Sequence, residues 1–143
     1  MNWGITYITL IALAAACDAV IDTLDDHYGR SWFRRLNPFF WDAEISWKNK
    51  YLDWDGGDHR RRKWFWNINK PVQVTDGWHF FKMLMIVFMC GAAVASTYSE
   101  PWLATRLADV CLRLFVTGTV WNLTFSLFYN KLLIDPDNMY DKK

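Results

Sequence analysis

Three long apolar runs, separated by one polar block and one tight turn, organise this chain of 143 residues. From Phe80 to Tyr98 there is no acid and a single cation, Lys82. Such a run crosses a hydrocarbon core of ~30 Å at ~1.5 Å per residue. The first run starts at about Trp3, reaches Ile21, and continues as a polar helical extension to about His27. The third covers about Trp102 to Leu133, longer than a bilayer requires, so it is expected to tilt or protrude. Ser99-Glu100-Pro101 predicts a turn, with Pro101 suited to the first position of the next helix. Asp135-Pro136-Asp137-Asn138 predicts the stop. The pattern therefore predicts an all-α integral membrane protein with three transmembrane helices. It forms one membrane domain over 1–143, with helices at about 3–27, 78–98 and 102–133, an interfacial cap at 28–77 and a tail at 134–143.

The cap has no long helical or alternating period. Short amphipathic pieces are expected at about 31–36 and 43–52, broken by Pro38, Gly56-Gly57 and Pro71. Its aromatic residues (Trp32, Phe33, Phe39, Phe40, Trp41, Trp47, Tyr51, Trp54, Trp64, Phe65, Trp66) suit the headgroup layer, where indole and phenol rings settle. Composition fits this division. Hydrophobic residues make up 52%, yet the mean hydropathy is only −0.07 because charge is concentrated in the central block. Between Asp22 and Gly77 lie Arg30, Arg34, Arg35, Lys48, Lys50, Arg60, Arg61, Arg62, Lys63 and Lys70, and no cation precedes the first helix. The positive-inside rule then places the cap and the C-terminus in the cytoplasm and Met1 outside, in a cell inner membrane. Net charge is +1, so no global basic field argues for nucleic acid. The N-terminal run lacks the basic residues of a signal peptide, and Ala14 stands where a lipoprotein cleavage box carries a larger aliphatic side chain, so a membrane span is expected. Cys17, Cys90 and Cys111 all fall in spans and read as small hydrophobes, with no CxxC.

Candidate chemistry gathers at the cytoplasmic ends of the first two helices. Asp18, Asp22 and Asp25 are spaced i, i+4, i+7 and share one helical face. A carboxylate at Asp18, within the inner leaflet, is costly unless paired or set in a polar cavity. Asp25 and Asp26 lie nearer water. Asp76 and His79 open the second helix at the same depth as Asp22. A carboxylate and His set suits a divalent metal, with Asp22, His79 and His27 as ligands, or a general acid–base pair, with Asp18, Asp22, Asp76 and His79 as the reacting groups. The alternatives are ion pairs from the acids to Arg30, Arg34 or Arg35, a helix cap at Asp76, and a headgroup-level His79. Lys48, Asn49 and Lys50, among aromatics, could grip a phosphate or headgroup, or else pin the cap to Asp18 or Asp22. In the third helix, Arg106, Asp109 and Arg113 share a face continued by Thr117 and Thr124. Neutralisation of Asp109 inside the bundle is the simplest expectation, and an anion or headgroup site is the alternative. Asn122 can hydrogen-bond across helices. Arg60 to Lys63 reads as a contact to anionic lipid.

Sharper motifs fail. Asp53 to Asp58 lacks the Gly and Glu that an EF-hand loop needs at its sixth and twelfth positions, where Asp58 and Trp64 stand. There is no P-loop, GxSxG or HExxH. Phe40-Trp41-Asp42, Ser46 to Tyr51 (SWKNKY) and Thr75 to His79 (TDGWH) resemble, over about residues 14–90, a group of small uncharacterised multi-pass membrane proteins of bacterial and phage genomes. That group has no established activity. The resemblance implies only that Asp18, Asp22, Asn49, Lys50, Asp76 and His79 work as one unit. The three-helix size is also similar to succinate dehydrogenase anchor subunits, but the Asp-Tyr pattern that follows their haem-ligating His is absent.

The expected function is thus a polar site at the cytoplasmic interface. It would act on a lipid-linked or phosphorylated amphiphile, with a divalent metal as a candidate cofactor. The alternative is a non-catalytic structural or accessory subunit. Membrane lipids are the expected partners, and the outer helix faces are open equally to lipid, to a homo-oligomer and to a larger membrane complex.

Overall fold

A computed structural model describes residues 2–50, 72–98 and 106–138. The stretch 53–58, the basic tetrad 60–63, the aromatic residues at 51, 54 and 64–66, Lys70, the turn at 99–101 and the tail at 139–143 lie outside the described residues, as do the side chains of Lys50 and Arg106. The long helices are α1 (Trp3–Asp26), α4 (Gly77–Tyr98) and α5 (Arg106–Leu127), the last continued by a π-helical turn, Phe128–Leu132. Between α1 and α4 lie two four-residue helices, α2 (Pro38–Trp41) and α3 (Ala43–Ser46), with single 3-10 turns around them. No strand occurs among the described residues; Ser31 and Ile134 form one isolated bridge. Three segments, Trp3–Asp26, Gly77–Tyr98 and Leu107–Leu132, are long and apolar enough to cross a membrane. The molecule is an all-α integral membrane protein, as the apolar runs predict.

The hub is α1. It is the helix that contacts both α4 and α5, antiparallel to the first and parallel to the second. Its Ala14, Ala15 and Ala19 are fully covered, and Ile11, Cys17, Val20, Ile21 and Leu24 are nearly so. From α4 only Gly77, Ala92 and Ala95 are comparably buried. Small residues let backbones approach, which is how helices gain contact where lipid tails already satisfy apolar surface. At Gly91 a Cβ would come within 3.3 Å of the Leu10 side chain. Polar and aromatic contacts fasten the ends. Trp3 stacks on Tyr98 with centroids 5.0 Å apart, Tyr7 hydrogen-bonds Thr117 of α5, and His27 packs on Tyr129 at 5.2 Å. The second apolar run is nearly as hydropathic as the first, yet only 11% of its apolar stretch is buried against 39% in α1. Hydropathy does not distinguish lipid-facing from protein-facing surface, so it could not identify the buried helix.

In the third helix, Asp109 and Arg113 pair at 2.8 Å, and Arg113 also donates to the Ser96 carbonyl of α4 at 3.2 Å. The charge turns inward and is neutralised internally, the simpler of the two expectations. Where the helix ends, the chain is stitched to the segment after α1. Trp32 N–H donates to Leu133 O at 3.1 Å and Asp135 N–H to Arg30 O at 2.9 Å. The Asp135 carboxylate is fully buried and receives Arg35 at 2.7 and 2.8 Å and Arg34 at 3.0 and 3.1 Å. Arg35 also reaches Asp137 and lies over the Trp32 ring at 4.4 Å. Ion pairs from the acids of α1 to Arg30, Arg34 or Arg35 were one of the alternatives drawn from the sequence. Both guanidinium groups instead hold the end of the third helix, because the π-turn brings Asp135 back over the Tyr28–Arg35 turns.

Burial alone would push the Asp135 carboxyl up. The bonds from Arg35, the Asp137 amide and Arg34 outweigh it and hold Asp135 below the usual carboxylate range. A depressed folded-state pKa stabilises the fold above the ordinary value of ~3.9, and that contribution is lost as pH falls through the folded value. Thermal unfolding in detergent, followed by circular dichroism, should therefore show wild type keeping this contribution at about pH 5 and losing it below about pH 4. Asp135→Asn should melt lower at neutral pH and lose less on acidification; equal pH slopes for the two proteins would contradict the clamp.

Candidate functional site

The start of α4 is built by Asp76. As the N-cap residue it accepts the His79 backbone N–H on Oδ1 at 2.8 Å, satisfying one of the helix's free amides. The same carboxylate receives the His79 ring: Nδ1 lies 2.9 Å from Oδ1 and 2.8 Å from Oδ2. Thr75 Oγ1 donates to Oδ2 at 3.3 Å. Asp76 is 1% exposed, so it is desolvated and fully engaged. With a carboxylate as partner, Nδ1 carries the proton and the other ring nitrogen, Nε2, is left as the basic position.

Gly77 sets how close this turn lies to its neighbours. A Cβ there would meet Trp41 Cε3 at 3.0 Å, Leu24 Cδ1 at 3.3 Å and the Phe40 carbonyl at 3.3 Å. Asn37 caps α2 by accepting from Phe39 N–H at 3.0 Å, with Pro38 at its first position, and Asp42 caps α3 by accepting from Glu44 N–H at 3.0 Å. These caps fix the α2–α3 corner. Trp41 then packs on Phe33, Phe40 and Phe81. The Asn49 side-chain amide donates to the Phe39 and Thr75 carbonyls, the latter at 3.2 Å. The SWKNKY and TDGWH stretches therefore meet in space.

Together these segments enclose a half-open pocket of about 370 Å³, lined by Asp25, Ala43, Ser46, Trp47, Asp76, Trp78 and His79. Asp25, at the end of α1, accepts the Trp78 indole N–H at 2.8 Å. Ser46 is 1% exposed. Two indoles, two carboxylates, an imidazole and a hydroxyl face one volume. Such a set can orient a polar group between aromatic walls and move a proton to or from it.

Of the expected reacting groups, Asp76 and His79 come together and line the pocket, while Asp18 and Asp22 do not line it. Asp22 is half-buried on α1, in the field of Asp18, Asp25, Asp26 and of Lys82 on α4. Lys82 itself lies 5.8 Å from the Trp78 ring centroid. The expected metal set does not assemble. Asp76 holds the His79 ring, His27 packs on Tyr129, and among the described residues no three His, Cys, Asp or Glu side chains gather to hold an ion. Of the expected substrate contacts, Asn49 acts as a tie between backbone carbonyls, Lys48 is exposed on the Trp47–Lys50 turn, and the Lys50 side chain lies outside the described residues. Sequence reasoning passed over Ser46, Trp47 and Trp78 as site residues. The Asp42 cap was the available signal, since it starts a short helix that ends on Ser46. A scan against protein-family models, a search of curated proteins and a search of solved structures each gave no match.

Gly77→Ala tests whether close packing positions this site. Alanine favours the helix by up to ~1 kcal/mol, yet the crowded Cβ should lower stability by about 1–3 kcal/mol net. Gly29→Ala, where a Cβ meets nothing within 4 Å, should stay within about 0.5 kcal/mol of wild type. Thermal unfolding of the three proteins in one detergent makes the comparison.

Proposed function

We propose that the pocket between the end of α1, α3 and the start of α4 is an acid–base site that acts on the polar head of a lipid-linked or phosphorylated amphiphile, by hydrolysis or group transfer. The observation that carries this reading is the buried Asp76 carboxylate bonded to His79 Nδ1 at the wall of a pocket that also holds Asp25 and Ser46. Asp76 orients the imidazole and fixes its tautomer through Nδ1. Nε2 of His79 then takes a proton from an attacking hydroxyl or water and returns it to the leaving group. Trp47 and Trp78 provide the amphipathic walls that headgroup-level sites use. The basic residues of the central block support placing the site at the cytoplasmic face of the inner membrane. The contact between the SWKNKY and TDGWH stretches supports membership in the group of small bacterial and phage membrane proteins that carry them.

A second reading is structural, and one observation favours it: the same Asp76 caps α4 and braces the tightly packed Gly77 turn. The two readings separate on His79→Gln, assayed with purified protein in mixed micelles against a panel of lipid-linked phosphate and acyl esters, with products followed by mass spectrometry. The acid–base reading expects turnover to fall by ~10²–10⁴-fold with little change in melting temperature. No turnover above the His79→Gln background, together with a lowered melting temperature in that variant, would leave the structural role as the correct one.

A further inference from the structure

The outward face of α5 carries polar groups at the depth of the lipid tails. Cys111, Phe115, Gly118, Asn122 and Ser126 follow at i, i+4, i+7, i+11 and i+15, which is one stripe of a helix. Cys111, Phe115, Asn122 and Ser126 are exposed, and a Cβ on Gly118 would meet nothing within 4 Å. The bundle is met by other residues of the helix, Thr117 bonding Tyr7 and Tyr129 packing on His27. Along the stripe runs an open groove of about 440 Å³, lined by Leu114, Phe115, Gly118, Thr119, Asn122 and Leu123. One Asn122 amide N–H closes on the Gly118 carbonyl at 2.8 Å. The Asn122 Oδ1 accepts no hydrogen bond from a described residue. An amide left in hydrocarbon in this way is costly, and lipid tails cannot relieve it.

The chemistry of the stripe selects its occupant. Two copies of one chain insert in the same orientation, so a twofold axis normal to the membrane sets each residue of the seam against its own image at equal depth. Acids or lysines in such a seam would repel their images. Asparagine carries both donor and acceptor and pairs with itself. Gly118 lets the backbones approach, and the 4-3-4 spacing from Cys111 to Asn122 is that of a helix–helix seam. We propose that α5 packs against α5 of a second copy in a parallel dimer, with Gly118 at the crossing and Asn122 amides paired across the axis.

Cys111 lies on the stripe and serves as a probe. In native membranes, the full-length Cys17→Ala/Cys90→Ala protein should form disulfide-linked dimers through Cys111 when treated with copper phenanthroline. Asn122→Leu in that background should lower the dimer yield about tenfold, whereas Asn122→Gln, which keeps a self-pairing amide, should retain it. Leu127→Ala, exposed but off the stripe, should leave the yield unchanged. Equal yields for Asn122→Leu and its parent, or an absence of cross-linking in membranes that hold the folded protein, would overturn the proposal. Efficient cross-linking through Cys90 when Cys111 alone is removed would point to a different face and overturn it as well.

Discussion

Within a bilayer, helices gain nothing from hiding apolar surface from one another, so their association rests on close contact between small side chains and on polar pairs. The fold of this protein depends on that constraint at α1. Ala14, Ala15 and Ala19 present a smooth surface, and α4 answers with Gly91, Ala92 and Ala95. The Tyr7–Thr117 bond and the His27–Tyr129 contact then hold α5 along the same helix. A larger residue on any of these faces would separate the backbones and leave the polar pairs out of reach.

Where the chain leaves the hydrocarbon, a different physics takes over. Charges can be carried there at modest cost, and two buried carboxylates organise the layer. Asp135 gathers Arg34 and Arg35 and so locks the segment after α1 to the end of the third helix. Asp76 caps α4 and holds His79, with Gly77 pressed against Trp41 and Leu24. The pocket is a consequence of both. It lies between α1 and α4 because Asn49 ties the chain after α3 to Thr75, and because the α2–α3 corner is held by its own Asn37 and Asp42 caps.

The legible part of this architecture was the part set by local composition. Long apolar runs announced the three spans, and Asp76 and the Asp135-Pro136 stop are chemical signals that act in place at the start of α4 and after the third helix. The Asp76–His79 pair was also visible, since i, i+3 neighbours on a helix start are brought together by the helix itself. Other partnerships were not. The Arg34–Asp135 and Arg35–Asp135 pairs join residues about a hundred positions apart, and many acids lay nearer in sequence to those arginines. Ser46 and Trp47 became pocket residues only through the turn of the α2–α3 corner.

By itself, then, the sequence determined what a membrane imposes on any chain: span lengths, helical state, the caps, and the concentration of charge outside the hydrocarbon. These follow from solvation and from contacts within a few residues, which the order of amino acids specifies directly. Which helix is buried, which carboxylate meets which guanidinium, and which side chains share a cavity were decided by the tertiary structure. In lipid an apolar residue is at ease on either side of a helix, so hydropathy leaves the inner face undetermined until small residues, long-range ion pairs and capped corners select one packing.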